Sequence, residues 1–315
     1  MPEFYRESIV GTYSDSVFCR LLFDYQNRTL RVVDFKNGKS AAKNTFLERL
    51  RIQENIRKIL TVVERSEVKT WQCIDYRSEG SIPAYFNKSD GYIMSRVYDN
   101  GGGNEEPKDL ESVKGKIEKV VGQMAKKEPV RSTGKDISED EAIAAIEKEY
   151  DRRSGNRKNL QKIEGAHLKS GQNGTKLDYP PVLSVFPRFG YGVKYLHFMA
   201  RNSRTGQVSI ARVEYMHHFN NAKIDILPQP RKMAETKHAE SCLSASLEKL
   251  EDLGVGVVFS LAPTDSLLLN ALFSSAGFEN TGQLSRQLIH QKCPVDLFLW
   301  TKKLGMAAHN RGGRR

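Results

Sequence analysis

The chain has 315 residues, 39% of them hydrophobic and 28% charged, with a formal net charge of +11. That length fits two domains of ordinary size, and the modest apolar fraction leaves part of the chain outside any core. The positive balance favours anionic partners such as nucleic acid, acidic lipid or a phosphorylated cofactor, and does not choose among them. No stretch approaches the roughly 18 apolar residues of a membrane span. The start, Met1-Pro2-Glu3-Phe4-Tyr5-Arg6, lacks the charged-then-apolar pattern of a secretory signal. Cys19, Cys73, Cys242 and Cys293 lie far apart without metal-like spacing, so free, mostly buried thiols in a cytoplasmic setting are expected.

Polarity alternates in Val17–Phe23 and Leu30–Phe35 around Gln26-Asn27-Arg28, which predicts a hairpin. Phe46, Leu47, Leu50, Ile52, Ile56 and Ile59-Leu60 have roughly helical spacing behind Asn44-Thr45, a candidate cap. A strand with Trp71 and Cys73 is expected next, then two more strands within Glu79–Arg96. The order in this region reads β-β-α-β-β-β.

Gly101-Gly102-Gly103 breaks the pattern and opens a stretch of mixed charge running to about residue 176. Leu110, Val113, Ile117 and Val120-Val121 predict one amphipathic helix; Ile137, Ala142, Ile143 and Ile146 predict another, both packed against a domain. Ser138 with Glu141 three residues on is a capping box for the second. Arg152–Lys158 and Ser170–Gly174 read as loop.

A further globular unit is expected from Asp178-Tyr179-Pro180-Pro181. Val208–Tyr215 and Ala222–Leu227 predict strands joined at Asn220-Asn221, residues that tolerate left-handed backbone. Leu243, Leu247 and Leu250 predict a helix closed by Gly254; Gly256–Ala262 predicts a buried strand and Leu267–Phe273 a helix. His217-His218 would point to opposite faces of a strand, which disfavours shared metal ligation. The aromatic run Phe186–Tyr195 suits core or lid packing better than base stacking, and the tail His309–Arg315 reads as a frayed basic terminus.

Two segments look alike. Glu79–Arg96 and Ala276–Leu284 with Asp296–Lys303 each read as strand, turn-rich interval, and strand ending in basic residues. Both resemble the closing hairpin of the GCN5-related N-acetyltransferases. Ser266–Phe278 carries that resemblance furthest: Asn270 sits where the family has a cofactor-contacting Asn, and Gly277-Phe278 where its helix ends. The pairing of a short first unit with a fuller second one is similar to beta-lysine N-acetyltransferases, with Ile82–Asn87 and Tyr92–Arg96 much like the close of their first unit.

The resemblance implies an α/β protein with two acetyltransferase-like (acyl-CoA N-acyltransferase) units of mixed, mostly antiparallel sheet. Residues 1–99 would be a degenerate unit, 100–176 a charged helical connector, 177–307 the fuller unit and 308–315 a basic tail. It implies transfer of an acyl group from acetyl-CoA, or another acyl-CoA, to an amine. Ile226 and Leu227 would hold the pantetheine, and Asn270 would orient the cofactor. Met233, Ala234, Lys237 and Ala239 would contact the pyrophosphate, with charge from Arg231 and Lys232. Asp225 or Glu214 would be the base.

Two departures weigh against this. The family's glycine-rich phosphate loop is replaced by Gln229–Glu240, which contains no glycine and includes Glu235. Phe273 stands where many members have a proton-donating Tyr. The alternative is a catalytically inactive protein of the same fold that binds a protein or nucleic-acid partner.

Overall fold

A computed structural model describes residues 5–10, 19–35, 40–98, 110–125, 134–154, 193–203, 205–290 and 293–305. In chain order the elements are β1 (Tyr5–Val10), β2 (Cys19–Asp24), β3 (Thr29–Phe35), α1 (Ser40–Gln53), β4 (Lys58–Val63), α2 (Arg65–Gln72), β5 (Arg77–Ile82) and β6 (Gly91–Val97). There follow α3 (Leu110–Ala125), β7 (Lys135–Ile137), α4 (Glu139–Ser154), β8 (Val193–Arg201), β9 (Val208–Met216) and β10 (Asn221–Leu227). The last elements are α5 (Met233–Asp252), β11 (Val257–Pro263), α6 (Leu267–Ser275), β12 (Glu279–His290) and β13 (Cys293–Lys303). The strands form one sheet in the order β1-β2-β3-β4-β6-β5-β12-β13-β11-β10-β9-β8-β7.

One arrangement occurs twice in that sheet. The series β1-β2-β3-β4-β6-β5 matches β8-β9-β10-β11-β13-β12. In each, the parallel pair is the third and fourth strands, which a helix connects. The two look-alike sequence segments fall on β5–β6 and on β12–β13 with the residues before them. Each hairpin shifts register at the matching place, between Ser78 and Gly80 and between Asn280 and Gly282.

These hairpins meet in the middle of the sheet, where Gly80 pairs with Gly282. A Cβ on Gly282 would lie 2.5 Å from the Gly80 Cα, and one on Gly80 would lie 2.8 Å from the Gly282 Cα. The strands can approach this closely only because neither residue carries a side chain. Beside them the buried Lys58 donates to Glu79 Oε2 (2.6 Å) and to the Ser285 carbonyl (2.7 Å), while the Ser285 N–H donates to Glu79 Oε1 (3.0 Å). Burial pushes the Lys58 pKa down, and the Glu79 charge opposes that shift. A further bond runs from the Ile289 N–H to Asn27 Oδ1 (2.9 Å).

Apolar residues sort by face as strand alternation requires. Ile224 and Ile226 of β10, with Val258 and Trp300, pack under α3, α5 and α6. On the first half, Leu30, Ile59, Met94 and Trp71 form the corresponding layer with α1 and α2. The opposite face carries a core common to both halves, from Leu60, Ile82, Tyr85 and Ile93 to Phe259, Leu297 and Leu299. Burying each such large aliphatic side chain contributes about 1.5–3 kcal/mol.

Several expectations change. Trp71 lies in helix α2 rather than a strand, and Cys73 caps that helix. Ile59-Leu60 belong to strand β4, whose six residues are all buried. A short run buried on both faces has no alternation to separate it from a helix. In the charged stretch, β7 pairs with β8, and Ala142, Ile146 and Tyr150 of α4 bury against Val208, Ile210 and Leu227, so this helix packs on strands as its apolar residues led us to expect. One apolar stripe is enough to dock a helix whose composition is otherwise charged. His217-His218 sit in a short 3-10 turn, His217–Phe219, not on a strand.

Other expectations hold. Asn220 has φ 50°. Gly254, with φ 73°, follows the C-terminus of α5. The capping box forms, with the Ser138 N–H donating to Glu141 Oε2 (2.9 Å) and the Glu141 N–H to Ser138 Oγ (3.3 Å). All four cysteines are free, but only half are buried where most were expected to be: Cys19 and Cys242 are buried, and Cys73 and Cys293 are exposed. Among the described residues no helix is long and apolar enough to cross a membrane. The triple glycine, Ser170–Gly174, Asp178–Pro181, Phe186–Gly192 and the basic tail lie outside the described residues.

Candidate functional site

β10 is buried along its whole length. It pairs with β11 only from Asn221–Val257 to Lys223–Phe259, so Ile224–Leu227 and Ser260–Pro263 carry no pairing with each other. Parallel strands that part in this way leave backbone donors and acceptors facing between them. The side chains of Ile226 and Leu227 go to opposite layers, Ile226 into the core under the helices and Leu227 into the cluster under α4.

Polar residues gather on the face of β10 away from α5. The Lys223 ammonium donates to Asp225 Oδ2 at 3.0 Å, and both residues are buried. Glu214 on β9 stands directly across from Lys223, and Arg212 across from Asp225. Next along β8 come Tyr195, opposite Glu214, and His197, opposite Arg212. The Arg212 guanidinium lies 4.8 Å from the Tyr195 ring centre, within cation–π range. Burial, and then the Arg212 charge, push the His197 pKa down. The two expected bases are thus brought to one patch, with a lysine between them that the sequence reading passed over. Its signal was available: Asn221, Lys223 and Asp225 alternate with Ala222, Ile224 and Ile226.

The loop after β10 is held from two sides. Ser266 Oγ donates to Gln229 Oε1 (3.3 Å), linking it to the start of α6. Arg153 of α4 donates through Nη1 to the Gln229 carbonyl (2.9 Å) and through Nη2 to Glu235 Oε2 (3.1 Å). The same Glu235 oxygen accepts the Arg231 N–H (2.7 Å). Arg231, Lys232 and Ala234 are exposed, Met233 and Lys237 are half-buried, and Ala239 lies wholly in the core.

These residues fit an acyl-CoA pyrophosphate only in part. Arg231 and Lys232 offer the right charge, but the Glu235 carboxylate already takes a backbone donor at the start of α5. Arg153, Glu149 and Glu235 gave no motif in sequence, because α4 and α5 are far apart in the chain.

Asn270 faces inward. Its amide donates to the Pro263 (2.7 Å) and Ser266 (2.9 Å) carbonyls, and its Oδ1 accepts the Trp300 indole N–H (2.8 Å). It therefore ties α6 to β11 and β13. Phe273 is wholly buried, with its ring centre 5.2 Å from that of Phe278. Among the described residues no group of three or more His, Cys, Asp or Glu side chains could hold a metal ion.

No protein-family model matches the chain, and no curated protein matches it. Among solved structures, the ribosomal-protein-S18-alanine N-acetyltransferase of Escherichia coli is similar at 15% identity and a TM-score of 0.36, over 57% of this chain and 98% of that one. A GNAT superfamily phosphinothricin acetyltransferase from Sinorhizobium meliloti, in complex with acetyl-CoA, is similar at 15% identity and a TM-score of 0.35, over 56% and 90%. A ribosomal-protein-alanine N-acetyltransferase from Brucella melitensis is similar at 19% identity and a TM-score of 0.29, over 35% and 69%. These structural neighbours are N-acetyltransferases.

Proposed function

We propose that the chain is a tandem acetyltransferase-fold protein whose second half moves an acyl group from a CoA thioester to an amine. One observation carries the reading: β10 and β11 part beside the buried Glu214, Lys223 and Asp225. In this reading residues 1–99 are a structural unit and 177–307 hold the site. The described parts of 100–176 pack onto the second half, so α4 belongs with the site it flanks.

The residues of this chain have definable tasks. Ile226 and Leu227 present backbone groups along the unpaired edge of β10. Glu214 or Asp225 accepts the proton that the acceptor amine must lose. The Lys223 ammonium, 3.0 Å from Asp225 Oδ2, holds that carboxylate in place. Asn270 positions the start of α6 rather than touching a ligand. An acyl-transfer assay with acetyl-CoA against a panel of amines and amino acids tests this. Thiol release that falls about 10²–10⁴-fold in Asp225→Asn or Glu214→Gln supports a general base. No release with any amine overturns the reading.

The position of Glu235 favours a second reading, a non-catalytic protein of this fold with a protein or nucleic-acid partner. Glycine at Ala234 and Thr236 discriminates: a latent enzyme gains CoA affinity, and a reshaped binding surface does not. Nucleic-acid binding driven by charge would weaken steeply with salt.

A further inference from the structure

We infer that Arg212 binds a carboxylate of the acceptor, so that the amine this chain acylates is an amino acid. This rests on the acyl-transfer reading and deepens it by naming the acceptor's chemical class. Arg212 is a half-buried cation on β9. Among the described residues it makes no ion pair, and its Nε–H is buried without a hydrogen-bond partner. Leaving a buried donor unpaired costs stability, so its place calls for an acceptor from outside the chain. A planar carboxylate accepts from Nε and one Nη together.

The neighbours leave that charge unspent. Asp225, directly across on β10, gives Oδ2 to the Lys223 ammonium (3.0 Å). His197, directly across on β8, is held toward its neutral form by burial and by Arg212 itself. The Tyr195 ring centre lies 4.8 Å from the guanidinium, which holds its fork flat before any ligand arrives.

The spacing to both proposed bases suits a short amino acid. Glu214 is two residues along the same strand and face, about 7 Å away. Asp225 is the cross-strand neighbour, about 5 Å between Cβ atoms. An amine at either carboxylate sets a carboxylate one or two carbons away against Arg212. A simple alkylamine meets the base and leaves Arg212 as it is. An arginine that only packs on Tyr195 predicts no preference between the two.

The test is acyl transfer by the full chain from acetyl-CoA to glycine, L-alanine and L-lysine. Each is compared with the amine that lacks its carboxylate: methylamine, ethylamine and 1,5-diaminopentane. In wild type at least one amino acid should exceed its partner amine about tenfold or more in kcat/KM, as a hydrogen bond between charged groups warrants. Arg212→Gln should raise the KM of that amino acid by a similar factor and move kcat less. Arg212→Lys should recover only part of the loss, because an ammonium cannot replace the planar fork. Equal handling of all three pairs by wild type overturns the inference, as does an equal loss for amino acid and amine in Arg212→Gln.

The Arg212 Nε–H resonance of wild type gives a readout that needs neither turnover nor a variant. It should shift with a millimolar amino acid and stay in place with the partner amine. An Nε–H unmoved by all three amino acids overturns the inference. The two readings fail separately. A shifted Nε–H without thiol release upholds the carboxylate site and removes the enzyme. Thiol release whose preference Arg212→Gln leaves unaltered does the reverse.

Discussion

Arg31 in β3 and Lys223 in β10 hold matching places, each the third residue of a strand that pairs in parallel with the next. Both are buried cations. Their surroundings differ. Arg31 donates to the Tyr85 hydroxyl (3.3 Å), faces Leu22 across the sheet, and is followed two residues on by Val33. Lys223 faces Glu214 and bonds Asp225. The strand order and the sense of each pairing are the same in both halves, but Leu22 and Val33 stand where the second half has Glu214 and Asp225. Backbone pairing fixes the order of strands, and it leaves each half free to place chemistry or plain packing on that frame.

The comparison can be broken at the junction first. Glu79→Ala leaves Lys58 buried without its carboxylate and should cost about 3–5 kcal/mol, read by urea denaturation. Gly282→Ala puts a methyl group against the Gly80 Cα and should cost about 1–3 kcal/mol in the same experiment. Ser138→Ala removes the α4 cap and should cost about 1 kcal/mol.

Thiol labelling sharpens the comparison without a stability change. Cys73 and Cys293 should react at once. Cys19 in the first half and Cys242 in the second should react only on unfolding. Burial also pushes the Cys242 pKa up to about 12, which keeps it a thiol. If the junction couples the halves, both become reactive at one urea concentration in wild type, and Cys19 separates from Cys242 in Glu79→Ala.

The two closing hairpins, β5–β6 and β12–β13, were legible because they leave a turn-and-strand signature, and β10 was legible from its alternation. The helix α2 was not. Only Trp71 of its eight residues is buried, so no apolar period marks it. β4 was absorbed into the preceding helix because its apolar run has no period of two. At the site, Glu214 and Asp225 could be named from their strands, while the hydrogen bonds of Asn270 to Pro263, Ser266 and Trp300 could not. The Arg153–Glu235 pair joins residues 82 apart in sequence, and no local pattern encodes such a contact.

Amide hydrogen exchange with and without acetyl-CoA tests most directly whether the site belongs to the second half alone. The account predicts added protection in β10, the loop after it and the first turn of α5, with β3 and α1 unchanged. Equal protection in both halves, or none in either, would contradict it.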